Sequence, residues 1–315
     1  MPVFLSAEVL ITPPGTTGWQ TVDLSAYIPS NATGVIVHAW NTNVSGYYVG
    51  ARPYGTSLNH ITHLSRTHCW LPMFTSSQKI DLYKDYAGIY YYLVGYFTSA
   101  DSTLFTPILL PRPGTGWYTI DLSSYITEGE TAIAAIIYWK HSGTSASYLQ
   151  GARKYGSSDN RTQGGKANGF IVGMSSDNKI GIYYGEITYQ TPLLVGYIKS
   201  GGGSFLTNGQ DKSPSITGSW QDVYVDANSS GAVFEVVTAN YNWGARRKGD
   251  TLGIYTQTGS TDHAWAIVGL DSSGYCQIAR GYTTQYFYLL GTVTAPPSGP
   301  GMPLLMRNYR NRRVS

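Results

Sequence analysis

The chain alternates short apolar or aromatic runs with clusters of Gly, Pro, Asn and Ser, and no helical period extends over eleven residues. In the first third the runs fall at 19–24, 35–40, 47–51, 70–74, 80–83 and 89–97. PPGTTG, PSNATG, NTNVSG and TSSQ separate them, and their residues supply positive φ or self-bonding turns. This spacing predicts six to eight short strands in an antiparallel sandwich or jelly roll. DLSAYI and DLSSYI are expected to make at most one helical turn, with Asp23 and Asp121 as turn or cap residues. The unbroken run YYYLVGYF implies a strand buried on both faces or aromatics at an interface. Its glycine, Gly95 or Gly196 in the next copy, marks a bulge or a close backbone approach.

The pattern occurs three times. A tryptophan follows a turn in GWQTVDLSAYI, GWYTIDLSSYI and SWQDVYVDANS, at Trp19, Trp117 and Trp220. An arginine turn follows in VGARPYGTS, QGARKYGSS and WGARRKGDT, at Arg52, Arg153 and Arg246. YYLVGYF, PLLVGYI and YLLGTVT close the copies. Each copy has the size of a complete small domain, not of a solenoid repeat. The expected fold is therefore all-β: three tandem antiparallel β-sandwich or jelly-roll-like repeats at 1–100, 101–201 and 202–295. TSADSTLFTP and KSGGGSFLTNGQDKSP read as linkers, the second the more flexible. Residues 296–315 read as an extended Pro/Gly segment and a basic arm.

Composition narrows the function. Charged residues make up 12% of the chain and aromatics 14%, with 27 Tyr, which excludes a disordered or coiled-coil body. No apolar run reaches the length of a membrane span, and the opening segment lacks the pattern of a secretory signal, so no membrane association is expected. Arg307, Arg310, Arg312 and Arg313 carry four of the positive charges; without them the net +3 becomes −1. The body thus has no basic face for nucleic acid, and nucleic acid is not the expected partner. In the arm, Met302, Leu304, Leu305 and Met306 are the expected apolar anchors and the four arginines the expected partner contacts.

Candidate chemistry is sparse. The arginine turns read as frame, Arg bonded to loop carbonyls with Gly55, Gly156 and Gly249 completing the turn; the alternative is three sites gripping a carboxylate, phosphate or sugar. Each Trp reads as a cap on the core, with sugar stacking as the alternative. His60, His63, His68 and Cys69 match no zinc spacing and read as loop histidines, so no metal and no cofactor is expected. Nucleophile elbows, phosphate loops and paired carboxylates are missing, and no enzyme is expected. Cys69 and Cys276 read as buried free thiols.

VGARPYGTS and QGARKYGSSDNR, with the closing LVGY strands, resemble β-repeats of structural proteins from tailed phages and other viruses. The resemblance spans most of residues 10–295. It implies a virion protein that decorates the capsid or forms a fibre, with other virion proteins as partners, often a trimer, and host glycan as a further partner. The expectation is a capsid decoration or minor capsid component docked by its C-terminal arm. The alternatives are a glycan- or receptor-binding fibre adhesin and a β-sandwich major capsid protein with a basic arm. The third copy, with Gly-Thr-Val in place of Gly-Tyr, departs from the pattern.

Overall fold

Alternation of buried and exposed positions, together with Tyr, Val, Ile and Trp, produces strands almost throughout. The computed structural model describes residues 2–294 apart from 16, 44, 66–67, 142–147, 165–167, 238–240 and 258–262. The arm residues Met302, Leu304, Leu305, Met306, Arg307, Arg310, Arg312 and Arg313 lie outside the described residues.

The first eight strands are β1 (Val3–Leu10), β2 (Gly18–Asp23), β3 (Ala32–Asn41), β4 (Gly46–Pro53), β5 (Ile61–Ser65), β6 (His68–Phe74), β7 (Lys79–Lys84) and β8 (Ile89–Thr98). They form two four-stranded sheets, β1-β8-β3-β6 and β2-β7-β4-β5. The next eight are β9 (Ser102–Leu109), β10 (Gly116–Asp121), β11 (Ala132–His141), β12 (Leu149–Lys154), β13 (Gln163–Gly164), β14 (Asn168–Gly173), β15 (Lys179–Tyr184) and β16 (Gln190–Lys199). They repeat the arrangement as β9-β16-β11-β14 and β10-β15-β12-β13. The last eight are β17 (Gly203–Asp211), β18 (Trp220–Tyr224), β19 (Ser229–Val237), β20 (Asn242–Arg247), β21 (Thr256–Gln257), β22 (His263–Gly269), β23 (Tyr275–Arg280) and β24 (Tyr286–Thr294), in β17-β24-β19-β22 and β18-β23-β20-β21. In each set the first strand pairs with the eighth and the second with the seventh, all antiparallel. This is the jelly roll, met three times.

Two local expectations have clear outcomes. Strand register slips beside Gly95 and Gly196, where a Cβ would come within 2.5 Å of the Val3 carbonyl oxygen and 2.2 Å of that of Thr103. The stretches read as linkers are instead mostly strand: β9 and β17 are the first strands of the second and third rolls. They escape notice because each is an edge strand in which polar residues interrupt the apolar pattern.

The rolls pack into a closed ring. Strands β6, β14 and β22, equivalent in the three rolls, all touch one another. The first strand of each roll also drives one apolar side chain into the preceding roll around the ring. Phe4 lies over Gly231 and Gly269 of the third roll, Leu104 over Gly34 of the first, and Phe205 over Gly173 of the second. A Cβ at these glycines would meet the incoming side chain at 2.1, 2.9, 2.4 and 2.7 Å respectively. Phe4, Leu104 and Phe205 are all buried. Aromatics fill the joints: Phe170 stacks on Trp265 at 4.4 Å, and His68 packs on Trp243 at 4.2 Å.

Candidate functional site

The repeated arginine and tryptophan meet in every roll. Arg52 lies over the ring of Trp19 at 4.2 Å, Arg153 over Trp117 at 4.0 Å and Arg246 over Trp220 at 4.0 Å, all within cation–π range. In the first roll, Val49 and Ala51 point inward with Ile80 and Leu82, so Gly50 and Arg52 face outward. Trp19 is half-buried and lies on this outer face, which corrects the expectation that it caps the core. Gly-Ala-Arg can now be read residue by residue. A Cβ at Gly50, Gly151 or Gly244 would come within 3.1, 3.0 or 2.7 Å of the tryptophan's Cη2. Glycine makes room for the indole, alanine joins the core, and arginine covers the ring.

Each guanidinium is anchored from its Nη1, which donates to the carbonyl of Leu58 at 3.1 Å in the first roll and of Leu252 at 2.9 Å in the third. Arg153 donates in the same way to the Asp159 carbonyl. Gly55, Gly156 and Gly249 adopt φ of 75°, 86° and 87°, a left-handed turn that suits glycine. The indole N–H of Trp19 donates to Asn59 Oδ1 at 3.2 Å, and that of Trp117 to Asn160 Oδ1 at 2.5 Å. Asp23 and Asp121 each accept the amide N–H two residues on, at 2.9 Å. The hydrogen bonds from Ser25 and Ser123 hold both carboxyls below the usual aspartate range.

Two buried polar clusters lie at the ring joints. His38 donates from Nδ1 to Glu8 at 2.7 Å, and its Nε2 meets His68 Nδ1 at 2.9 Å. Burial holds His68 well below the ordinary histidine range. At the joint of the second and third rolls, Glu235 accepts from His263 at 2.6 Å and from Arg161 Nε at 2.6 Å. Arg161 also pairs with Asp159 at 2.8 Å. These clusters are closed by packing and serve the joints. No repeated spacing marks them: the register equivalents in the three rolls are His38, Tyr138 and Glu235.

The described members of the histidine group do not converge. His60 is half-buried before β5, and its carbonyl accepts from the Tyr138 hydroxyl at 2.9 Å. His68 is a buried strand residue, which corrects its reading as a loop histidine. The side chain of His63 lies outside the described residues. Among the described residues no group of three His, Cys, Asp or Glu is placed to hold a metal. Cys69 and Cys276 are both free and buried; burial pushes the Cys69 thiol up and that of Cys276 up to about 12.

No protein-family model and no curated protein matches the chain. Among solved structures it is similar to a chain from a study of the triple jelly roll fold and turret assembly in an archaeal virus. That match has 11% identity and a TM-score of 0.19, covering 93% of this chain and 91% of the other. It is also similar to a chain from the atomic structure of Sulfolobus Turreted Icosahedral Virus, with 12% identity and a TM-score of 0.18, covering 94% and 92%. At these scores the superpositions are loose and carry no residue correspondence.

Proposed function

We propose that the chain is a non-catalytic structural protein of a virion, a capsid decoration or minor capsid component docked through its C-terminal arm. The observation that carries this reading is the closed ring, in which Phe4, Leu104 and Phe205 seal three jelly rolls into one block. Such a block offers a broad outer perimeter for neighbours, and its polar clusters are spent on holding the rolls together. In each roll a tyrosine before the arginine turn stacks on one in the loop ahead of the eighth strand, Tyr47 on Tyr86, Tyr148 on Tyr189 and Tyr241 on Tyr282. Tyr189, Tyr241 and Tyr282 are exposed, and rigid amphipathic rings suit wide, wet contacts. In this reading the threefold contact is internal to one chain, and the outward partners are other virion proteins.

The arm supplies attachment. Four arginines without an acidic residue suit an acidic surface on a neighbouring subunit, and the apolar anchors suit a groove beside it. Particles made with the chain cut after Pro296 should lose it, while the cut protein stays folded and soluble. Unchanged occupancy would remove the arm from the mechanism. Failure of the full chain to purify with particles would remove the virion role.

A further inference from the structure

In each roll the seventh strand runs between the tryptophan strand and the arginine strand. One of its residues lies directly opposite both the arginine and a residue of the tryptophan strand. In the first roll this set is Thr21, Asp81 and Arg52. Asp81 accepts from Thr21 Oγ1 at 2.8 Å and from Arg52 Nε at 3.1 Å. In the third roll it is Asp222, Gln277 and Arg246. Gln277 accepts from Arg246 Nε at 2.9 Å and donates to Asp222 at 3.0 Å. In the middle roll the same places hold Thr119, Gly181 and Arg153.

Glycine provides no bridging oxygen. Arg153 remains fixed by Trp117 and the Asp159 carbonyl, yet among the described residues it has no carboxylate partner. Lys179 beside it is already paired with Asp177 at 2.5 Å. A solvent-open cleft of about 330 Å³ lies here, lined by Trp117, Thr119, Arg153, Tyr155, Ser157 and Gly181.

We propose that the middle roll binds a carboxylate-bearing sugar of the uronate type, whose carboxylate takes the place that Asp81 fills in the first roll. One oxygen accepts from Arg153 Nε and the other from Thr119 Oγ1. The guanidinium is already held in place, so little ordering opposes binding. The cleft is at the small end of the ~300–1,000 Å³ range of small-molecule sites, room for one ring. Tyr155, exposed at its edge, offers an aromatic face to the sugar's C–H groups and a hydroxyl to its own. A peptide carboxylate would use the arginine and leave this wall unfilled. The inference is independent of the virion role, since it concerns the free chain.

The test follows the indole N–H signal of Trp117 by NMR during titration with methyl glucuronoside, methyl glucoside and acetate. The expected result is a saturable shift with the glucuronoside and at least tenfold weaker binding of the other two. Arg153→Gln should weaken glucuronoside binding at least tenfold. Gly181→Asp should do the same by restoring an internal carboxylate, with the flexible Arg153 side chain, whose Cγ lies 3.0 Å from the new Cβ, giving way. Arg52→Gln in the first roll should leave binding unchanged. If Gly181→Asp does not fold, Thr119→Val carries the same expectation. Equal binding of the two glycosides, or full binding by a folded Gly181→Asp protein, would overturn the proposal. Acetate binding as tightly as the glucuronoside would overturn the sugar in favour of a protein carboxylate.

Discussion

Single side chains in this protein are set by what lies across the sheet from them. The sequence made Trp19 and Arg52 visible as repeated letters, but not as one stacked pair, because their contact spans β7 and depends on register. Gly50 was equally visible, yet its reason appears only when the indole is seen lying over it. His60 shows the same limit. Its spacing from the other histidines matches no zinc pattern and reads as an exposed loop, whereas its environment is a joint between rolls. Burial, with Lys140 adding repulsion, lowers its pKa to about 4. The unfolded chain therefore takes up this proton first as pH falls. The stability due to neutral His60 is complete above pH 6.5 and is lost between 6.5 and about 4. His60→Asn should flatten that part of the stability–pH profile in urea denaturation. Superimposable profiles would contradict this account.

Strands were most legible where both faces are buried or the alternation is clean. β2, β3, β4, β6, β7 and β8 coincide with the apolar runs of the first copy. The apolar runs do not mark β1 and β5, and β9 and β17 resemble linkers in composition. Three of these four, β1, β9 and β17, are edge strands that begin a roll, and polar residues interrupt the apolar alternation in each. These same strands carry the side chains that seal the ring, a role that depends on a neighbouring roll and leaves no periodic trace. Phe205→Ala should cost about 3–5 kcal/mol, since its seat beside Gly173 cannot refill. Chemical denaturation should show this as a lower midpoint. A loss below ~1 kcal/mol would mean that the joint relaxes around the gap.

At the scale of the molecule, the threefold repetition was plain from the ordered motifs, while the choice between a string and a ring was not. Ring closure depends on contacts such as the Glu8 amide donating to Asp250 at 3.0 Å, across 242 residues. Arg247 likewise donates to the Leu5 carbonyl at 3.0 Å. Small-angle scattering of the chain lacking residues after 295 should give a radius of gyration of about 20 Å, as for one compact body. A markedly larger value would describe separate beads. Closure also has a consequence for synthesis. β1 emerges from the ribosome long before the roll it packs against has been translated. The first two rolls can join as they appear, but Phe4 must wait in water until Gly231 and Gly269 exist. The nascent protein thus carries an open, sticky flank for most of its elongation, and mutations that weaken this last joint should show up as poor yield more than as lost binding.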